Sequence, residues 1–380
     1  MELKCVATGR SCFLWRTERR CSAERSPSLR RVSPIYRRPH REHRTQYITP
    51  ADSQVYMYRF LFSVKEKHLL SKWFSSTAMR GLCHELRIPV PWGHIAAKAW
   101  GRPDGQPVLC LHGWADNANT FDRLIPLLPD DFYYMVPDFP GHGVSSHLPP
   151  GAMYQVLVYV LAMRRITENL NWKKFTILSH SLGGNVGGVF SSVFPEMVDK
   201  LILLDSYGFF PLTEYTQEEQ LRNAFNDLIK LEKKQGPPRV YTPDAALKRL
   251  LQRNQSLSEE SAKLLFQRGS KQVPGGIVFT RDLKINLRSP VRMSIDQCLQ
   301  FQKNIRAVVL LIFAENGLSK DEKMKPDCPP YSLLMEGYQN VLKKFQLEKV
   351  KGGHHVHLNE PERVAGIISD FLKMNITPKL

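Results

Sequence analysis

The stretch that decides the fold is "FTILSHSLGGN", which runs from Phe175 to Asn185. Its first half is apolar and strand-like, and its second half consists of small residues that open a helix-compatible segment. Ser181 stands at the corner between them, with Ser179 two residues earlier and Gly183 two residues later. This resembles the G-x-S-x-G nucleophile elbow in shape, with serine in place of the first glycine. The stretch therefore predicts a strand that turns sharply into a helix and exposes a serine hydroxyl at the corner.

Apolar runs alternate with helix-compatible sequence along most of the chain. From about Leu86, "RIPVPWGHIAAKAWG" is typical of a strand pair that turns at Gly93. Later strand-like runs are "PVLCLHG", "FYYMVPD", "KFTILSH", "KLILLDS", "AVVLLIFAEN" and "FQLEKVKGG", and a helix is expected to begin near Asn119. Several of these runs are apolar on both faces, as strands covered by helices on both sides should be. We therefore expect an α/β fold with a mostly parallel central sheet.

One long interval interrupts this alternation and suggests how the chain is divided. Between Asp205 and Arg306 the sequence contains helical patterns such as "EEQLRNAFNDLIKLEKK" and no convincing strand. A connection of this length must have structure of its own. We predict a helical lid over residues 209–303, inserted into an α/β core formed by residues 81–208 and 304–380.

Basic residues are concentrated at the start of the chain. The formal net charge is +17, and the first 80 residues hold 17 Lys and Arg against 6 Asp and Glu. This segment has little apolar periodicity, so we predict a disordered, solvated extension over residues 1–80. A basic tail, together with the aromatic and lysine-containing stretch Val55–Phe74, could also bind nucleic acid or a membrane surface. We expect no nucleic-acid partner, because basic blocks are more often solvated than bound.

The serine at the corner needs a base and hydrogen-bond donors before it can act as a nucleophile. The sequence "LHGW" (Leu111–Trp114) follows a buried-type strand and matches the loop that supplies one oxyanion donor in such sites. We therefore expect the backbone N–H groups of Trp114 and Leu182 to form an oxyanion hole. A helix N-cap serine after a strand is the alternative interpretation of Ser181.

A histidine-rich turn near the C-terminus offers the base. In "GGHHVHLNEPERVAGIISDFL", His354 comes directly after the last predicted strand, with His355 and His357 as rival bases. Such a turn could also be a surface loop or a metal site. No matching Cys or carboxylate spacing accompanies the histidines, so the sequence predicts no metal there.

Taken together, the HG loop, "DFPGHGVSSH", the elbow, "LILLD" and the ending with "GHHVH" and "EPE" resemble the α/β-hydrolase superfamily from about residue 86 to the C-terminus. The resemblance implies an α/β-hydrolase fold with helices on both faces of the sheet and an inserted helical lid. It also implies a serine hydrolase with Ser181 as nucleophile and His354 as base, and no metal or organic cofactor. A serine nucleophile disfavours the branches that form their ester on a carboxylate.

The acid of the expected triad is the point where this chain departs from the superfamily's pattern. In most relatives the acid follows the next-to-last strand, but here that turn reads "FAENG" and Gly317 occupies its place. Chain order requires a carboxylate between Ser181 and His354. Asp205, at the end of the strand after the elbow, is our choice, and Glu315 and Asp321 are the alternatives.

The sequence thus predicts a hydrolase that forms an acyl-enzyme from an ester, thioester or related small-molecule acyl substrate, partly apolar in character. The alternative is a catalytically silent binding protein on the same scaffold, without a competent acid. No run is long and apolar enough to span a bilayer. Seven unpaired-looking cysteines fit reduced thiols and a cytoplasmic protein. The ending Pro378–Leu380 resembles a peroxisomal signal with its first position altered.

Overall fold

The computed structural model describes residues 83–213, 215–234, 236–320, 324, 329–341 and 345–375. The predicted disordered extension (residues 1–80), Asp321 and Pro378–Leu380 lie outside the described residues.

Ten strands are present in the described parts of the chain. Their bounds are β1 His84–Val90, β2 Gly93–Trp100, β3 Gln106–Leu111, β4 Phe132–Pro137, β5 Phe175–His180, β6 Val198–Leu204, β7 Ser270–Val273, β8 Gly276–Phe279, β9 Val308–Asn316 and β10 Phe345–Gly353. Eight of them form one sheet in the order β1-β2-β4-β3-β5-β6-β9-β10, and β7 and β8 form a separate antiparallel pair. Within the large sheet, β2 runs antiparallel to β1 and β4, and all other neighbours are parallel. The strand pair at Gly93 and the six later strand-like runs are thereby confirmed as strands.

Nine α-helices are present in the described regions. They are α1 Val156–Asn169, α2 Leu182–Val193, α3 Gln217–Lys233, α4 Pro243–Arg253, α5 Glu259–Gly269, α6 Ile295–Gln302, α7 Tyr331–Val341, α8 Val356–Asn359 and α9 Glu362–Lys373. The helix expected near Asn119 is instead a single 3₁₀ turn, Ala118–Phe121, capped by the Asn117 side chain. The next short turn, Ile125–Leu127, has proline at its start, and Leu128 after it is extended. A longer helix here would have to run through that proline, which cannot donate a backbone N–H.

The central strands bury both of their faces. Along β3, Leu109 and Leu111 face one core, while Val108 and Cys110 face the other. The same alternation along β5 and β6 follows from the two-residue period of a strand. Helices α1, α2, α6 and α7 contribute to the first core, and α9 with the short turns after β3 contributes to the second. The predicted three-layer α/β arrangement is confirmed.

The chain between β6 and β9 contains α3 to α6 and the small hairpin β7–β8. The prediction that this interval holds no strand is therefore wrong. Both strands of the hairpin are only four residues long and mostly half-buried, and β7 is mainly polar, so the apolar run of β8 is too short to stand out. The domain boundaries given above stay a prediction, and we refer to residues 209–303 as the insertion. No helix in the described ranges is long and apolar enough to cross a membrane.

Candidate active site

The tip of β5 holds Ser181 in a strained backbone conformation. Ser181 is the N-cap of α2 and has φ 51° and ψ −115°, in a region that L-residues rarely adopt. Its carbonyl oxygen accepts a hydrogen bond from the Ser206 hydroxyl at 3.0 Å. Strain of this kind persists only when the surrounding structure holds it, and it is common where a side chain must be presented for chemistry.

Small residues make the corner possible. A Cβ on Gly183 would lie 2.2 Å from the Leu111 carbonyl oxygen, and one on Gly184 would lie 2.2 Å from the Ser206 hydroxyl oxygen. Ser179, which stands where the pattern has glycine, is fully buried and donates its hydroxyl to the Ile202 carbonyl at 2.9 Å. The turn therefore accommodates Ser179 because the added hydroxyl has a partner on the neighbouring strand.

A continuous chain of hydrogen bonds links three of the sequence-selected residues. His354 Nε2 lies 3.0 Å from Ser181 Oγ, and His354 Nδ1 lies 2.5 Å from Asp205 Oδ2. Since a carboxylate only accepts, Nδ1 carries the hydrogen, and in the neutral ring Nε2 can accept from the serine hydroxyl. This is the geometry in which a serine hydroxyl can be deprotonated by a histidine.

Asp205 is held at the tip of β6 by further donors. Its side chain is fully buried, and its carboxylate accepts hydrogen bonds from the backbone N–H groups of Ala314, at 3.1 Å, and Leu318, at 2.8 Å. The backbone of Asp205 has φ 43°, so this residue is also strained. With its hydrogen-bond donors supplied by the β9 turn, the carboxylate is fixed in front of His354.

Gly317 leaves room for the Asp205 carboxylate. A Cβ on Gly317 would lie 2.2 Å from Asp205 Oδ2 and 2.5 Å from Asp205 Cγ. The carboxylate of Asp205 thus fills the space that a side chain at position 317 would need. Glu315, an alternative acid, is exposed and forms no hydrogen bond with His354 in the described structure.

The two expected oxyanion donors lie at the ends of neighbouring strands. Leu182 is the first residue of α2, and Trp114 lies in the turn after β3. Within the described part of the chain, neither backbone N–H donates to another protein group. The Trp114 ring is 48% exposed, and its Nε1–H donates to the Ile285 carbonyl of the insertion at 2.9 Å.

Comparison with known proteins agrees with this geometry. The sequence profile of a family described as having the alpha/beta hydrolase fold matches residues 106–361. The chain belongs to the α/β-hydrolase family. It is 46% identical over 306 residues to the human serine hydrolase-like protein 2, covering 79% of this chain and 97% of the relative. It is 44% identical over 308 residues to the zebrafish serine hydrolase-like protein, covering 79% and 91%.

Solved structures show the same fold. A hypothetical protein from Pseudomonas aeruginosa is 33% identical, with a TM-score of 0.68, over 76% of this α/β hydrolase and 99% of that chain. A thioesterase domain from the curacin biosynthetic pathway superposes with a TM-score of 0.62 at 24% identity, over 76% of this chain and 99% of that one. The resemblance to the superfamily is therefore confirmed.

Beneath His354 this α/β hydrolase buries a group of polar side chains that sequence reasoning did not assemble. His180 precedes the elbow serine, and its Nε2 lies 2.9 Å from the His354 carbonyl oxygen. Asp116, from the turn after β3, places Oδ2 3.7 Å from His180 Nδ1 and Oδ1 3.6 Å from His355 Nε2. Desolvation lowers the pKa of the His180 imidazole to about 4. Asp116 supplies the carboxylate that the sequence near the histidine turn lacks, because it is distant along the chain from both His180 and His355.

The rival bases face away from Ser181. His355 Nδ1 lies 2.7 Å from the Ser256 hydroxyl of the insertion. His357 Nε2 lies 3.0 Å from the Thr120 hydroxyl, and burial lowers the pKa of His357 well below its usual value. Of the three histidines in the turn, the structure brings only His354 within hydrogen-bond distance of the serine.

The insertion contacts the edge of the site through α5. Arg268, on α5, is almost completely buried and donates to Asp138 Oδ2 at 2.8 Å and to both carboxylate oxygens of Glu85 at 2.6 and 3.0 Å. Asp138 also accepts from the backbone N–H groups of Ala118 and Val144. One guanidinium therefore connects the insertion to β1 and to the turn after β4.

A small cavity of about 20 Å³ lies between α5 and the turn after β3. Its lining includes Asp116, Leu265, Phe266 and Phe279 but not Ser181 or His354. Of three apolar residues in the insertion, Leu265 is buried in this lining, whereas Phe225 is 51% exposed and Leu228 is half-buried. The cavity has room for about one water molecule and does not accommodate an acyl chain.

Proposed function

We propose that this α/β hydrolase is a serine hydrolase that cleaves an ester, thioester or related acyl substrate through an acyl-enzyme. The observation that carries the proposal is the chain of two hydrogen bonds from Asp205 through His354 to Ser181, at a backbone corner with φ 51°. A helix N-cap serine needs neither the strained conformation nor the buried carboxylate behind the histidine.

The proposed reaction begins when Ser181 Oγ attacks the substrate carbonyl carbon and passes its proton to His354 Nε2. Asp205 keeps the hydrogen on Nδ1 and stabilises the imidazolium that forms. The backbone N–H groups of Trp114 and Leu182 donate to the developing oxyanion. Collapse of the tetrahedral intermediate breaks the bond to the alkoxide or thiolate, which takes the proton from His354.

Water completes the proposed cycle. His354 Nε2 removes a proton from a water molecule, whose oxygen attacks the acyl-enzyme carbonyl. Collapse of the second tetrahedral intermediate releases the carboxylic acid, and the proton returns to Ser181 Oγ. Side chains of this chain supply every proton transfer.

The first experiment is labelling of the full chain by a fluorophosphonate probe. We expect stoichiometric labelling of the wild type, none for Ser181→Ala and none for His354→Gln. Ser179→Ala is the matched control, because Ser179 lies two residues away, and its hydroxyl is buried against Ile202. Asp205→Asn should slow labelling by about 10⁴-fold, whereas Asp321→Asn should leave the rate unchanged.

A folded wild-type chain that does not label would contradict this proposal. It would favour the catalytically silent binding protein, for which the fold alone is also sufficient. Equal slowing by Asp205→Asn and Asp321→Asn would contradict the assignment of the acid.

A small-molecule substrate with a partly apolar acyl group is the expected ligand class. Support comes from the apolar ring of Trp114, which is 48% exposed and belongs to the residue whose backbone N–H is a proposed oxyanion donor. We further propose a cytoplasmic location. A peroxisomal location through the C-terminal Pro378–Leu380 is the alternative, which a fluorescent fusion with and without Leu380 tests.

A further inference from the structure

Asp116, His180 and His355 form a buried cluster with two polar atoms that have no hydrogen-bond partner in the described structure, Asp116 Oδ2 and His180 Nδ1. They face each other at 3.7 Å. Asp116 and His180 are 4% and 0% exposed, so bulk water does not satisfy either atom. A buried carboxylate without donors is costly unless a positive charge lies beside it.

Each of the two imidazoles, His180 and His355, forms a hydrogen bond through one ring nitrogen. That hydrogen bond determines whether the other ring nitrogen has a lone pair directed at Asp116. The His354 carbonyl oxygen only accepts, so His180 Nε2, at 2.9 Å, carries the hydrogen. In the neutral ring, Nδ1 then presents its lone pair to Asp116. In the same way, His355 Nδ1 can donate to the Ser256 hydroxyl at 2.7 Å, which leaves Nε2 with a lone pair towards Asp116 Oδ1.

A hydrogen bond does not join these atoms well, because separations of 3.6 and 3.7 Å exceed the length of a hydrogen bond. A metal ion can bridge atoms at such separations. In a tetrahedral site, two ligand atoms at about 2.0–2.2 Å from the ion lie about 3.3–3.6 Å apart. One ligand atom each from Asp116, His180 and His355 lie within 4.8 Å of one another, so side-chain movements of about 1 Å would bring all three to bonding distance.

We propose that Asp116, His180 and His355 form a binding site for a divalent transition-metal ion of the zinc type. Two imidazoles and one carboxylate are a common ligand set for such ions, with a water as fourth ligand. The cavity of about 20 Å³ that Asp116 lines has room for that water. The His354 carbonyl and the Ser256 hydroxyl are the outer partners that fix the two rings.

The three ligands come from three segments that also carry the groups proposed for catalysis. Asp116 follows Trp114 by two residues, His180 directly precedes Ser181, and His355 directly follows His354. A bound ion therefore ties together the turn after β3, the elbow and the histidine turn. Its ligands act as positioning residues, and the site exists whether or not the chain hydrolyses acyl groups.

The test uses the full chain, prepared without a histidine tag and stripped with a chelator. After dialysis against Zn²⁺, we expect one ion per chain by mass spectrometry, and Co²⁺ in its place should give the visible absorption of a tetrahedral site. Zn²⁺ should also raise the Tm, because it binds only the folded chain. Asp116→Asn and, as a second variant, His355→Gln should weaken Zn²⁺ binding by at least about 100-fold.

Two control variants locate the ion. His94→Gln removes a histidine at the β1–β2 turn, whose ring contacts Val144 and Ser146, and should retain one ion. His354→Gln should also retain it, because His354 contributes its backbone carbonyl and not its ring to the site.

Three results would overturn the proposal. They are a folded wild-type chain that holds less than about 0.1 ion, binding that is unchanged in both ligand variants, and binding that only His354→Gln removes. The last would place the ion on the Ser181–His354–Asp205 chain. Failure of fluorophosphonate labelling with one bound ion would count against the proposed function alone.

Discussion

Position 317 has no room for a side chain, because the Asp205 carboxylate lies against the Cα of Gly317. A Cβ there would meet all three atoms of the carboxylate at 2.2 to 2.5 Å. These distances are far below van der Waals contact, so the carboxylate would have to move. Since Asp205 Oδ2 accepts a hydrogen bond from His354 Nδ1, displacement of the carboxylate also displaces the imidazole.

We therefore expect Gly317→Ala to lower the rate of fluorophosphonate labelling by about 10²-fold, the loss typical of a misplacement of about 1 Å. The mechanism is tested by the double variant Gly317→Ala with Asp205→Asn. If position 317 acts through Asp205, the double variant is no slower than Asp205→Asn alone. Additive losses would show that Gly317 acts by another route.

Some residues of the candidate site could be selected from the sequence, and others could not. The choice of Asp205 rested on the position of a carboxylate at a strand end, and the space at Gly317 gives that choice its physical reason. Asp116 was not selected, because its partners His180 and His355 are distant in sequence. They meet it only when the parallel strands β3, β5 and β10 place their carboxyl ends at the same end of the sheet. A metal-ligand pattern of this kind has no local spacing to detect.

At the scale of elements, the approach of β3 to α2 depends on Gly183. Its Cβ would lie 2.2 Å from the Leu111 carbonyl oxygen, which is backbone and cannot rotate away. We expect Gly183→Ala to lower the free energy of unfolding by about 1–3 kcal/mol, as overpacking does. Urea denaturation followed by circular dichroism measures this change.

Gly366 provides the matched control. It lies within α9, and a Cβ there would meet nothing within 4 Å. Gly366→Ala should raise the free energy of unfolding by up to about 1 kcal/mol, because alanine is the better helix former. An equal effect of the two substitutions would contradict the role given to close packing at Gly183.

The strands of the central sheet were predictable because their apolar runs bury both faces, as β3 and β6 do. The pair β7–β8 was not, because only Ile277 among its residues is buried. The turn Ala118–Phe121 was mistaken for a longer helix. Its four residues are all buried, as the inner face of a helix would be. The proline in Ile125–Leu127 prevents the helix from continuing.

At the scale of the whole molecule, buried neutral histidines make the fold sensitive to acid. His142 is fully buried, and its Nε2 has no partner among the described residues. Desolvation lowers the pKa of His142 to about 3, and the nearby His112 and Arg281 also lower it. The Pro140 carbonyl and Asp116 act in the opposite direction without cancelling the effect of burial, and the Tyr159 ring beside His142 carries no charge.

Since the pKa of His142 in the unfolded chain is about 6.5, the unfolded state takes up a proton first as the pH falls. The free energy of unfolding therefore decreases below about pH 6.5. From pH 7 to pH 5 we expect the wild type to lose about 2 kcal/mol more than His142→Gln. Urea denaturation at both pH values measures the difference, and identical losses in the two proteins would contradict a neutral buried His142.

The contacts of Arg268 restrict the movement of α5 relative to the core. Helix α5 is held to the core by this guanidinium and by Asn117 and Asn119, which donate to its carbonyl groups at 2.8 and 2.9 Å. The side chains of α3 instead bond within the insertion, where Gln217 and Gln220 donate to the backbone of residues 289–290. Moving α5 would leave the buried Asp138 carboxylate without its counter-charge. Moving α3 would break hydrogen bonds between uncharged groups, which costs less. We therefore expect α3 to move relative to the core more readily than α5 does.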